Sequence, residues 1–206
     1  MKKILRYPPD RVKSGTIGVE LPGITTRLVD ENGSDVSDGC KGQLLVRGGN
    51  VMQGYWHRPE ETVRTLAGGW LHTDDIAVRD SDGYLRIVDR LKEMIISMGE
   101  NIYPREIEEL LYEYPHISEA AVIGVPAKLR GHVGCCYYTV EPGAAVDKRA
   151  LKKYLQQNLA LFKVPRIYYE IDEMPRLATG KIAKKRTGTA VCQQTILSSG
   201  NIKRPA

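Results

Sequence analysis

The hydrophobic pattern of this chain changes character at Asp89-Arg90, so no single layer of one element type accommodates both halves. Before that point, apolar residues come in short β-branched or alternating runs, Ile24–Asp30 and Gln43–Arg47, with turn chemistry at Glu31-Asn32-Gly33. A short helix is expected after Pro59, which suits a first helical position, with Glu60 and Glu61 near its positive end. Ile76–Arg79 and Tyr84–Asp89 read as a hairpin around Ser81-Asp82-Gly83. After Asp89 the pattern is mixed. Met94–Ser97 reads as a strand, and Pro104 opens a helix with Ile107, Leu110 and Leu111 on one face. Strands follow at Ala120–Val125, ended by Pro126, and at Cys135–Val140, ended by Glu141-Pro142-Gly143. Asp147 caps a helix whose inner face carries Leu151, Tyr154, Leu155 and Leu159, and Ile167–Ile171 is the last strand. The expected fold class is α+β: a β-rich, barrel-like subdomain over 1–89, a small α+β domain over 90–186, and a flexible tail over 187–206.

At 206 residues the chain can bury a sizeable core, and 42% hydrophobic with 27% charged residues argues against wholesale disorder. No apolar run approaches the roughly 20 residues of a membrane span, and Met1-Lys2-Lys3-Ile4-Leu5-Arg6 is not followed by a signal-peptide stretch. A cytoplasmic setting is expected. The net charge of +5 raises the question of a polyanion partner. The basic residues are scattered and not interleaved with aromatics, so no nucleic-acid partner is expected. The four cysteines, Cys40, Cys135, Cys136 and Cys192, form no CxxC pair, which argues against zinc. Cys135 and Cys136 lie in an apolar run and read as buried thiols.

Several short motifs fail on their chemistry. Lys13-Ser14-Gly15-Thr16-Ile17-Gly18 has the flavour of a phosphate loop but lacks the lysine that would follow, and a turn into a strand fits better. Thr179-Gly180-Lys181 matches the end of a Walker loop, yet Ile182 stands where Ser or Thr must reach magnesium. Asp30, Asn32 and Ser34 mimic a calcium loop until Asp35 replaces its glycine and Lys41 its closing glutamate. The histidines are scattered and assemble no nucleophile–base pair.

What survives is an ordered set: Gly49–Trp56, Gly69-Trp70-Leu71-His72-Thr73-Asp74-Asp75, Asp82-Gly83-Tyr84, Ile87-Val88-Asp89-Arg90, Gly99-Glu100-Asn101-Ile102-Tyr103-Pro104 with Glu106 and Glu108, and Ala178-Thr179-Gly180-Lys181. Each is weak alone. In this order they resemble the late motifs of the adenylate-forming superfamily, and within it fatty-acid and related acyl-CoA ligases. The resemblance implies that 1–89 is the terminal subdomain of a large AMP-binding domain and that 90–186 is the mobile C-terminal domain. The phosphate loop, acyl pocket and adenine-binding segment lie upstream in the family. The chain is therefore expected to be the C-terminal portion of a ligase converting carboxylate, ATP and coenzyme A to acyl-CoA, AMP and pyrophosphate, inactive alone. Its partners would be a separate N-terminal domain and a small-molecule carboxylate. Mg2+ is expected for the full enzyme but not bound here. Alternatives are a non-catalytic module binding AMP or coenzyme A, or part of an adenylation domain loading a carrier protein.

Residue by residue, the resemblance gives Asp75 the ribose hydroxyls, a task that suits a carboxylate, with Arg90 and Ile87 also at the nucleotide. Asp89 becomes the hinge. Lys181 becomes the catalytic residue, a cation where two anions must meet. Lys184 and Lys185 read as solvated lysines of a basic tail. Gly99 and Met98 would lie along the coenzyme A route. Three positions depart from the family pattern: Asp74 and Met98 each stand where glycine is usual, and His132 replaces a frequent glutamate.

Overall fold

The computed structural model describes residues 5–8 and 11–184. The expected flexible tail over 187–206, and Cys192 within it, lie outside the described residues. The chain divides into two compact units, Met1–Lys92 and Glu93–Ala206.

The first unit is a meander. Strand β1 (Leu5–Arg6) pairs antiparallel with β2 (Val19–Glu20). Then β3 (Ile24–Val29), β4 (Lys41–Gly48), β5 (Leu71–Arg79) and β6 (Leu85–Arg90) pair in chain order, each antiparallel to the next. Ile24, Leu28, Leu44, Val46, Ala77 and Leu85 form the buried cluster of this sheet. The barrel-like expectation is met only in part. Ile17 N–H donates to the Leu85 carbonyl (2.7 Å) and Leu85 N–H to that of Gly18 (3.0 Å), so the run into β2 extends the sheet past β6. No closed barrel forms among the described residues. Gly18 is required there: its φ is +95° and a Cβ would fall 2.2 Å from the Arg6 carbonyl oxygen.

Helix α1 (Pro59–Thr65) joins β4 to β5 and has Pro at its first turn with Glu60 and Glu61, as expected from the macrodipole. The motifs that failed on chemistry have structural work instead. Lys13 Nζ pairs with Asp80 (2.6 Å) and Asp82 (3.0 Å), and Asp30 Oδ1 accepts from the N–H groups of Asn32 (2.8 Å) and Ser34 (2.9 Å), an Asx turn.

The second unit is built on one mixed sheet: β7 (Ile95–Ser97), β8 (Glu100–Ile102), β9 (Ile117–Ala127), β10 (Gly131–Val140) and β11 (Ile167–Glu170). Strand β10 has β9 antiparallel along one edge; the other edge is shared end to end by β11, parallel at Cys135–Tyr138, and β7, antiparallel at Gly131. Helices α2 (Pro104–Glu113) and α3 (Lys148–Asn158) supply Ile107, Leu111, Leu151 and Leu155 to one face, where Cys136 and Tyr138 point. Cys135 and Tyr137 point to the other face, against Ala121 and Met174. Burial on both faces explains why this strand reads as a continuous apolar run.

One expectation changes here, and one strand is new. Pro126 does not end its strand: β9 runs to Ala127 with Pro126 opposite His132. Among the described residues strand β9 pairs only with β10, and an edge strand tolerates a residue without N–H where that side faces outward. Strand β8 was hidden in the sequence because Glu100-Asn101-Ile102 carries little β propensity and is paired by its neighbour β7.

Candidate functional site at the end of the β5–β6 ladder and the Lys181 hairpin

The candidate nucleotide residues gather at one end of β5–β6. Asp75 lies opposite Arg90 and Ile76 opposite Asp89, after which the register shifts so that Ala77 faces Ile87. Arg90 Nε sits 2.8 Å from Asp75 Oδ1. Asp75 is largely covered, and its burial pushes the carboxyl above the usual range; Arg90 pulls it back and Asp74 pushes the same way as burial. Ile87 packs half-buried against the first unit's core. Asp89 is 5% exposed, and its Oδ1 accepts the Arg90 backbone N–H at 2.7 Å.

A second irregularity explains how Asp75 is presented. The β4–β5 ladder pairs Gln43 with Ile76 and Leu45 with His72, so Thr73-Asp74-Asp75 stands opposite Leu44 alone and bulges by two residues. Thr73 fills the gap, its hydroxyl donating to the Leu44 carbonyl (2.8 Å) and accepting from Asp75 N–H (3.1 Å). Asp74 takes φ +59° within the bulge, the left-handed region that favours glycine, and its carboxylate pairs with Lys92 at 2.5 Å. Thr73 and Lys92 escaped sequence reasoning. Only the odd pair of acids after a threonine within a strand pattern could have signalled the bulge.

Met98 and Gly99 are the two central residues of the β7–β8 hairpin, with Ser97 opposite Glu100. Their φ values are +54° and +85°, the double left-handed pattern of a tight hairpin turn. So Asp74 and Met98, both expected from the resemblance to stand in place of a glycine, have the left-handed backbone that glycine favours. Met98 is 66% exposed, its sulfur 3.1 Å from Arg130 Nη1. A Cβ on Gly99 would meet open space.

Lys181 stands at the end of a short hairpin. Leu177 N–H donates to the Lys181 carbonyl (2.8 Å), Gly180 N–H to that of Leu177 (2.9 Å) and Ala183 N–H to that of Pro175 (2.7 Å). The side chain is exposed, and no hydrogen bond or ion pair engages its Nζ among the described residues. Lys184 corrects the expectation of a solvated tail lysine. Its Nζ lies 2.6 Å from Glu93 Oε2 and 2.9 Å from Glu108 Oε1, with the side chain 23% exposed. Burial alone would lower its pKa; Glu108 and Glu93 outweigh burial and raise it. Asp75, Arg90, Ile87 and Asp89 thus share the first unit, while Met98, Gly99 and Lys181 lie in the second.

A covered carboxylate beside an arginine thus lies in the first unit, and an exposed lysine without an ion pair lies on a hairpin of the second. The chain belongs to the adenylate-forming superfamily. Its residues 4–56 match the profile of the AMP-binding enzyme and 106–181 that of the AMP-binding enzyme C-terminal domain. It is similar to the feruloyl-CoA synthase of Amycolatopsis sp, 45% identical over 172 residues, 84% of this chain and 35% of that protein. It is also similar to the long-chain-fatty-acid–CoA ligase of Escherichia coli O157:H7, 41% identical over 84% of this chain and 30% of that one. Among solved structures, o-succinylbenzoate CoA synthetase (MenE) from Bacillus subtilis, in complex with its acyl-adenylate intermediate, superposes with a TM-score of 0.78 at 32% identity, covering 85% of this chain and 36% of that one. The chain therefore spans about a third of the length of these relatives. No helix of the described residues is long and apolar enough to cross a membrane.

Proposed function

We propose that this chain supplies the ribose-holding strand pair and the lysine-bearing mobile domain of an ATP-dependent acyl-CoA ligase, and that it works with an N-terminal portion like that of its relatives. In the first half-reaction a carboxylate oxygen attacks the α-phosphorus of ATP, and the bond to pyrophosphate breaks. In the second, the coenzyme A sulfur attacks the acyl carbon and AMP leaves. Asp75 accepts hydrogen bonds from the ribose hydroxyls beside Arg90 and Ile87. Asp89 is the hinge between the half-reactions. Lys181 offsets the repulsion between carboxylate and phosphate as the adenylate forms, and Met98-Gly99 borders the coenzyme A path. Mg2+ is assigned to the part of the enzyme that holds pyrophosphate, and the setting to the cytoplasm.

The observation that carries this reading is the unpaired, exposed Lys181 Nζ on a hydrogen-bonded hairpin, a cation presented rather than consumed by the fold. Mixing the chain with the N-terminal portion of a relative restores AMP release from carboxylate and ATP. Lys181→Ala then depresses adenylate formation far more than thioester formation from pre-formed acyl adenylate. Equal loss in both halves overturns the role.

A second reading, an AMP-binding module without catalysis, is favoured by one fact: the Asp75–Arg90 pair is complete within the first unit. AMP binding to the chain alone, abolished by Asp75→Ala, together with no turnover on supplying the N-terminal portion, would select it.

A further inference from the structure

Three residues immediately after Lys181 are fixed by three different means. Ile182 packs against the cluster of Ala121, Cys135, Tyr137 and Met174 on the sheet's second face. Ala183 is 4% exposed, and its N–H donates to the Pro175 carbonyl. Lys184 reaches Glu93 and Glu108. On the near side of Lys181, Arg176 Nη1 donates to the Gly180 carbonyl at 2.8 Å while its other nitrogen pairs with Glu119. A surface lysine on a loop of small residues would otherwise sample many positions.

We infer that Lys184 is a positioning residue for Lys181: its ammonium, pinned between Glu108 and Glu93, locks the hairpin that carries Lys181 to the frame of the second unit. This inference rests on the role proposed for Lys181. Glu108 is the fixed end of the lock. It is 9% exposed on α2, and its Oε1 also accepts Val122 N–H from β9 at 2.7 Å, so helix, strand and hairpin meet at one carboxylate. Glu93 is the other end, 40% exposed, and begins the second unit. Through it the lysine hairpin is tied to the segment where the chain enters this unit from the Asp89 side. The two carboxylates hold one ammonium, so removing that ammonium takes an ion-pair partner from the nearly buried Glu108 and from Glu93 at once. Lys181 and Lys184 thereby divide the labour: one cation is kept free because the other is consumed.

A purely stabilising Lys184 and a positioning Lys184 predict different results. Hydrogen exchange on the full chain, well below its melting temperature, compares Lys184→Met and the milder Glu93→Gln with the parent. Positioning predicts that the N–H groups of Leu177, Gly180 and Ala183 exchange on the order of tenfold faster in Lys184→Met. The β9–β10 ladder keeps its protection. Glu93→Gln gives a smaller change at the same three groups, which preserves the test if Lys184→Met folds poorly. With the N-terminal portion supplied, Lys184→Met slows adenylate formation by about ten- to a hundredfold with AMP affinity unchanged, and Lys184→Arg recovers most of it. Hairpin exchange that is unchanged in both variants, or that rises only together with the whole sheet, overturns the inference. Absence of adenylation in the parent would instead strike the proposed function, and the exchange result would still stand or fall alone.

Discussion

Asp75 and Arg90 stand opposite each other on adjacent antiparallel strands and join side chains at 2.8 Å, yet the carboxyl of Asp75 is still pushed above its usual range because burial outweighs the arginine. A carboxyl whose folded pKa exceeds its unfolded one binds extra protons when folded, so stability falls as pH rises from 3.8 through the raised value and stays lower above it. Asp75→Asn removes this cost. At neutral pH it melts at the same temperature as the parent or slightly above, by about 1–2 °C, with the difference vanishing below the window. The same variant loses AMP affinity. Thermal melts from about pH 3 to 7 check it, and a clearly lower melting temperature at neutral pH contradicts it.

Thr73 closes the gap that the β5 bulge opens, serving both a carbonyl and an N–H with one hydroxyl. Thr73→Val keeps the shape and removes both bonds, leaving two part-buried backbone groups unpaired. It costs about 1–3 kcal/mol, measured by denaturant titration, and weakens AMP binding because the Asp75 backbone is released. Thr73→Ser retains most of both.

Met98 occupies a turn position with φ +54° while its side chain is mostly in water, so its strain is compensated by little burial. Met98→Gly relieves that strain at the entropic cost of a glycine, a net gain of roughly 0.5–1 kcal/mol in the second unit. Asp74→Gly behaves differently because it also forfeits the ion pair with Lys92, a surface pair of small worth, so its net change is close to zero. Melting curves of the two variants separate them.

Cys40 is exposed, whereas burial raises the Cys135 thiol to about 11 and holds Cys136 well above its ordinary value. Near pH 8 a thiol reagent therefore labels Cys40 in the native chain and reaches Cys135 and Cys136 only on unfolding. Peptide mapping reads the sites separately.

The strands and helices whose apolar residues repeat with a clean period are legible in the sequence alone. Pro104 does open α2, Asp147 caps α3 through the Arg149 N–H, and the buried faces carry Ile107, Leu111, Leu151 and Leu155. The glycine departures at Asp74 and Met98 were visible as oddities, but their meaning needed φ. What stayed hidden was relational. Lys184 looks like any tail lysine until the fold brings Glu93 and Glu108 around it from far away in sequence. Thr73 looks like any strand threonine until register shows that it stands where backbone partners are missing. Pattern reveals which face is apolar; it does not reveal which distant acid a cation will meet.

The two sheets also differ in how far along the chain their strands must search. The first joins β3 to β6 strictly in order, whereas β10 must gather β7 from well upstream and β11 from beyond α3. Pairings between distant segments close large loops and form slowly. Refolding should therefore proceed in two phases, with the meander fast and the lysine-bearing half limiting, so that during synthesis the earlier half is ordered before its companion can assemble.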